Sequence, residues 1–219
     1  MKIRAIAVAA AFVLSTPLAA DPVSPASAAT AIGIDPAGLP VEVGDVEGVE
    51  RALFRDGRVF IGGQPSEAAL RKLKELGVTA IVNLRGEAEM ANREAVPFDE
   101  AALAAELGLE YVHVPISGED HPYRPEVLER LEETLRKHNG PVLLHCTVGW
   151  RASYAWTGYL VRYQGLGVDD ALARGRAMQL SEDPLARLLG RPMKLVYADE
   201  APAQPQVPAL PVPAAAPPN

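Results

Sequence analysis

The chain has 219 residues, with 21 lysines and arginines against 28 acids and a formal charge of −7. That balance offers no electrostatic footprint for nucleic acid or an anionic membrane surface, so a substrate anion needs a local basic cradle. A single cysteine excludes an intramolecular disulfide and argues against a thiolate metal cluster.

Residues 1–20 read as an export signal peptide. Lys2 and Arg4 precede the apolar stretch Ala5 to Leu14, and small residues follow at Ala19-Ala20 and Ala26-Ser27-Ala28. About ten apolar residues are too few to span a bilayer, which needs about 20. The expectation is an exported protein, periplasmic or secreted, with no membrane span after processing. It carries −9 once Lys2 and Arg4 leave with the leader. Residues 21–48, rich in Pro, Ala, Gly and Val, read as a loosely ordered lead-in. Residues 200–219, almost wholly Pro, Ala and Val, read as a disordered tail. One folded domain over 49–199 remains.

Within it, Arg51 to Ile61 predicts two short strands around the hairpin dipeptide Asp56-Gly57. Gly62-Gly63-Gln64-Pro65 turns, and Ser66 caps a helix with Ala69, Leu70, Leu73 and Leu76 on one face, ended by Gly77. The β-branched run 78–84 reads as a strand covered on both faces, and Arg85-Gly86 leaves its C-terminal end. A short helix over 98–107 precedes the strand 111–114. The loop 117–122 leads to a helix with Pro125 in its first turn and Val127, Leu128, Leu131 and Leu135 buried. Strand 141–145 follows. Then Ala152, Ala155, Trp156, Tyr159, Leu160 and Tyr163 mark the apolar face of a helix starting near Ala152. Further helices are expected over 169–179 and within 184–197. Strands alternating with helices predict an α/β fold, a three-layer, mostly parallel sheet flanked by helices.

The segment His145-Cys146-Thr147-Val148-Gly149-Trp150-Arg151 sits where a buried strand ends and a helix begins. In open α/β sheets ligands bind at the carboxyl ends of strands. A helix N-terminus and a curled loop of amides favour a thiolate and a bound oxyanion. Arg151 adds a planar donor fork. Cys146 and Arg151 are thus the candidate catalytic pair. Thr147, Val148, Gly149 and Trp150 form the candidate substrate cradle, and Arg85 at the neighbouring strand end is a second positive group, weighed equally against a surface salt-bridge role. His145, whose side chain alternates away from Cys146, reads as a loop support rather than a general base. Trp150 suits either the pocket mouth or packing on the sheet. His113, His121 and His138 show no metal-ligand spacing, and no metal or cofactor is expected.

This Cys–Arg segment resembles the signature loop of cysteine-dependent tyrosine and dual-specificity phosphatases. It is most similar to the small bacterial phosphatase-like branch also found fused to hydrolase or kinase-like domains. Gly62-Gly63-Gln64-Pro65, Val82-Asn83-Leu84-Arg85 and Tyr111-Val112-His113-Val114-Pro115 fit that branch, and the resemblance covers about residues 52–180. It implies a cysteine-phosphatase-like fold, a phosphorylated substrate, a Cys146 thiophosphate and Arg151 on the equatorial oxygens. It also implies a general acid from the mobile loop, Asp120 first and Glu119 second. Two departures stand out. Four residues separate Cys146 from Arg151 where the family usually has five, and Ala152 replaces the usual Ser or Thr, with Ser153 one place later. The shorter loop implies a tighter cradle, and rhodanese-like sulfurtransferases also use one. The alternatives are therefore a sulfurtransferase taking a sulfur donor onto a Cys146 persulfide, and a non-catalytic oxyanion-binding module.

Overall fold

Alternating apolar side chains along the inner strands give the protein two hydrophobic cores, one on each face of a sheet. The computed structural model describes residues 32–178 together with Leu188 and Gly190. Strands β1 (Val41–Glu42), β2 (Leu53–Asp56), β3 (Val59–Gly62), β4 (Ala80–Asn83), β5 (Glu110–His113) and β6 (Val142–His145) form one sheet, in the order β1-β2-β3-β6-β4-β5. Strands β3, β6, β4 and β5 run parallel, each crossover carrying at least one helix. The Asp56-Gly57 hairpin makes β2 antiparallel to β3, and β1 antiparallel to β2, so the sheet is mixed.

The helices are α1 (Glu67–Glu75), α2 (Glu87–Ala91), α3 (Glu100–Glu106), α4 (Pro125–Lys137), α5 (Trp150–Tyr163) and α6 (Val168–Ala177). On one face Val59, Ile61, Val82, Val142 and Leu144 pack with α4, α5 and α6. On the other Phe60, Ile81 and Leu143 pack with α1 and α3. Helix α1 is capped by Ser66, whose Oγ accepts from the Ala69 amide at 3.2 Å. Helix α4 begins with Pro125, as its fixed φ favours. The three layers match the expected architecture.

Three expectations change. Residues 32–48, expected as a loose lead-in, take part in the fold: β1 covers the edge of β2, Ile32 and Ile34 enter one core, and Val46 enters the other. The Arg58 amide of the hairpin turn donates to Ile32 O at 3.2 Å, which ties this segment to the sheet. Leu76, expected on the buried face, is 38% exposed, because α1 stops at Glu75 and Leu76 is its C-cap. The helix after the cysteine loop starts at Trp150, so Arg151 stands inside its first turn. Helix α5 is also buried well beyond one stripe, Ser153 and Thr157 included. Trp156 stacks on Tyr159 and donates to Asp56 at 2.9 Å; Asp56 in turn pairs with the buried Arg174 of α6. The leader, the tail and the expected helix within 184–197 lie outside the described residues, apart from Leu188 and Gly190.

Candidate active site

Strand β6 is apolar, fully buried and central among the parallel strands, which fixes its C-terminal end firmly. Cys146 follows directly and is wholly buried. Its amide donates to Gly62 O at 3.3 Å, and the Gln64 amide donates to Thr147 O at 3.0 Å. Gly63 and Val148 form an antiparallel bridge. The loop is therefore laced to the Gly62-Gly63-Gln64-Pro65 turn. A Cβ on Gly63 would lie 2.2 Å from Glu50 O, so only glycine allows this backbone approach. Gly149 caps α5 with φ 90°, the left-handed region that glycine tolerates, and its amide donates to Cys146 Sγ at 3.2 Å.

That turn lets the four-residue spacer close. Arg151 reaches back over the loop, its Nη2 donating to Thr147 Oγ1 at 2.9 Å and its Nη1 to Ile116 O at 2.8 Å. Burial works against its charge, but Glu89 and the neighbouring Cys146 outweigh it and raise its pKa. Glu89 of α2 takes both Arg151 terminal nitrogens at 2.7 Å and also accepts from the Thr147 hydroxyl and the Gly86 amide. Burial pushes the Glu89 carboxyl up, yet these bonds pull it down to about 2.

Arg85 leaves the end of β4 and is 2% exposed, so the surface salt-bridge alternative fails. Its Nη1 donates to Gln64 Oε1 at 2.7 Å and its Nη2 to Glu89 O. Burial lowers its pKa, countered by Glu89 and Glu100. With Gln64, Thr147, Val148, Val96 and Phe98 it lines a cavity of about 540 Å³ on one side of the loop. On the other side Arg151, His121 and Tyr123 line one of about 360 Å³.

His145 points away from Cys146, as strand alternation requires. Its Nε2 lies 2.7 Å from Glu100 Oε1 in a fully buried pair, and its Nδ1 faces Cys146 O at 3.3 Å. Ser153 donates to Gly149 O at 3.0 Å, supporting the loop backbone. Trp150 is 49% exposed with the Arg51 guanidinium 5.3 Å from its ring centre, so it stands at the rim and does not pack on the sheet. Asp120 is exposed in a turn closed by reciprocal backbone bonds between Ser117 and His121, and makes no hydrogen bond or ion pair among the described residues. Glu119 is exposed beside it. The structure thus brings together Cys146, Thr147, Gly149, Arg151, Arg85 and His145, and keeps the two loop acids apart from them. Glu89 and Glu100 are functional candidates that the sequence reading missed.

Residues 41–186 match the family model described as DSP-PTPase phosphatase fused to NAD+ kinase. The chain belongs to this family. It is accordingly a phosphatase, a phosphoric monoester hydrolase acting on a phosphorylated substrate. The assignment favours neither the sulfurtransferase nor the non-catalytic alternative. The fold is shared with PTPMT1, solved in complex with PI(5)P: 15% identity over 60% of this chain and 88% of that one, TM-score 0.52. Tk-PTP in its active form is 26% identical over 62% of this chain and 94% of its own, TM-score 0.47. A DUF442 phosphatase of Shewanella putrefaciens CN-32 is 20% identical over 68% and 96%, TM-score 0.47. No curated protein matches the chain significantly in sequence. Among the described residues no helix is long and apolar enough to cross a membrane, and no His, Cys, Asp and Glu cluster could hold a metal ion.

Proposed function

We propose that this phosphatase works through Cys146 as nucleophile. Sγ attacks phosphorus as the ester oxygen leaves, forming a thiophosphate, and water then cleaves the P–S bond to release phosphate. The observation that carries the reading is the Gly149 amide donating to Cys146 Sγ at the end of the central strand, with the Arg151 guanidinium held over the same loop by Thr147 and Glu89. The amide stabilises negative charge on sulfur, and Arg151 binds the oxygens on which charge develops. Glu89 holds that guanidinium in register. The leaving oxygen needs a proton. Asp120 is the proposed donor: Gly118 and His121 of its loop line the cavity that Arg151 borders, so a small loop movement brings the carboxyl toward the site. Lys2, Arg4 and the apolar residues 5–14 support export to the periplasm or beyond.

The test is direct. Purified protein is incubated with an aryl phosphate and, separately, with thiosulfate, and intact masses are taken beside turnover. A phosphoryl adduct present in wild type and absent in Cys146→Ser, with turnover lost, is the expected result. A persulfide from thiosulfate, or turnover that survives Cys146→Ser, would overturn the proposal.

A further inference from the structure

Two arginines among the described residues are buried, Arg174 and Arg85, each 2% exposed. A buried guanidinium keeps its charge and needs an anion against it. Arg174 has one, since both oxygens of Asp56 accept from its Nη1, at 2.7 and 2.9 Å. Arg85 has none. Its Nη1 donates to the Gln64 amide oxygen at 2.7 Å and its Nη2 to the Glu89 carbonyl, while its Nε has no acceptor among the described residues. Two acids act on it through space, and both are engaged elsewhere. Glu89 gives its carboxylate to Arg151, and Glu100 Oε2 accepts from Gln64 Nε2 at 3.0 Å and Asn83 Nδ2 at 3.2 Å. Burial is the largest influence on Arg85 and leaves its pKa below the ordinary arginine value despite both acids.

This under-compensated cation lines the cavity of about 540 Å³ beside the cysteine loop. Thr147 joins cavity and loop: it lines the first, and its hydroxyl accepts from Arg151 Nη2 at 2.9 Å. The two arginines meet at one residue, Arg151 on the Glu89 carboxylate and Arg85 on the Glu89 carbonyl. Anions bound to each would therefore be separated by about the length of one glutamate. The Gln64 amide oxygen, also on the cavity wall, is a neutral acceptor that a charged oxygen displaces, because charge-assisted bonds are about twice as strong. We propose that the cavity is a second substrate subsite, where Arg85 takes a further anionic group, phosphate or carboxylate, of a small molecule whose scissile phosphate lies on Cys146 and Arg151. Which phosphate is cleaved rests on the phosphatase reading above. A singly phosphorylated side chain would leave the Arg85 charge unmatched.

General electrostatics point the other way, which makes the subsite measurable. The chain carries −7, so a second negative charge weakens a ligand unless a local cation receives it. The other charged groups on the cavity wall are Glu50 and Glu67, both exposed. They stand where the cavity meets solvent and disfavour a ligand with many negative charges. Val49, Pro65, Val96 and Phe98 make the rest of the wall largely apolar, suited to a short carbon spacer between two anions.

Binding is measured by calorimetry on the full chain carrying Cys146→Ser, so that no turnover intervenes. The probes are bisphosphonates from methylene to pentane-1,5, the matching phosphonocarboxylates, and alkylphosphonates of equal length as controls. Each probe differs from its control only in the second anion, and the two series tell phosphate from carboxylate. At the best spacer the doubly anionic probe should bind about tenfold tighter than its control, and Arg85→Gln should cut that ratio to about twofold or less. Probes that bind no tighter than their controls at every spacer overturn the proposal without any Arg85 variant. So does an Arg85→Gln that leaves the ratio unchanged, or one that weakens probe and control alike, since the arginine then only supports the loop. If Arg85→Gln fails to fold, Ala95→Glu decides: this exposed wall position puts a repelling carboxylate in the cavity and must lower the same ratio. A ratio that depends on Arg85, in a protein whose intact Cys146 hydrolyses no phosphate ester, would sink the phosphatase mechanism and spare the subsite. Turnover through Cys146 with no such ratio would do the reverse.

Discussion

Glu89 gives the site a pH signature of its own. Its carboxyl is held at about 2 against an ordinary 4.5, so the folded chain binds that proton at lower pH than the unfolded chain does. The stabilisation is therefore complete above pH 4.5 and disappears as pH falls from there through 2. Glu89→Gln has no such proton to gain. Thermal melts of wild type and variant should separate above about pH 4.5, with wild type higher, and converge toward pH 2; a constant offset across the range would contradict the pairing. At neutral pH Glu89→Ala leaves Arg151 without its carboxylate clamp. A misplaced guanidinium should lower kcat/KM on an aryl phosphate by about 10²-fold, and a variant within twofold of wild type would show that Glu89 does not position it.

At the scale of elements, the cysteine loop is held by backbone lacing to the Gly62-Gly63 turn as much as by its own sequence. Gly63→Ala would drive a methyl into Glu50 O, forcing the turn and its bridge to Val148 apart. A loss of about 1–3 kcal/mol in urea unfolding is expected, with turnover impaired. Gly44→Ala meets no atom within 4 Å and should be neutral or slightly stabilising. Equal effects at the two positions would remove the argument from backbone approach. The same lacing explains what was readable in the chain. Cys146, Gly149 and Arg151 are contiguous, so strand, turn and helix signals could be summed around them. The hairpin and the parallel strands were equally plain from Asp56-Gly57 and the β-branched runs. Glu89 and Glu100 were not, because each sits in an Ala-rich helix where an acid looks like a solvated face. Their partners lie 62 and 45 positions away, and only the crossovers bring them in. One signal was available: Gln64, Asn83 and His145 are polar residues near the ends of three apolar strands, and polar groups at such buried places need a common partner. The packing of residues 32–48 left no comparable trace, since isolated Ile32 and Ile34 among Pro, Ala and Gly carry no period.

For the molecule as a whole, Asp56 is the tie between the antiparallel and helical halves. It sits at the end of β2, accepts from Trp156 of α5, and takes Arg174 of α6 on both oxygens. Asp56→Asn leaves a buried guanidinium short of its counter-charge, a cost of about 3–5 kcal/mol. Tm should fall by roughly 10 °C, while Cys146 chemistry at low temperature is retained; a change of only a degree or two would mean that the pair contributes nothing net. The strand order carries a further consequence, for the history of each molecule. Among the described residues strand β6 is the last in sequence, yet it fills the slot between β3 and β4. Until residue 145 has left the ribosome, those two strands lack the partner that both pair with in the finished sheet. The nucleophile, its loop and the keystone strand emerge together, so no half-built sheet ever presents a working cysteine.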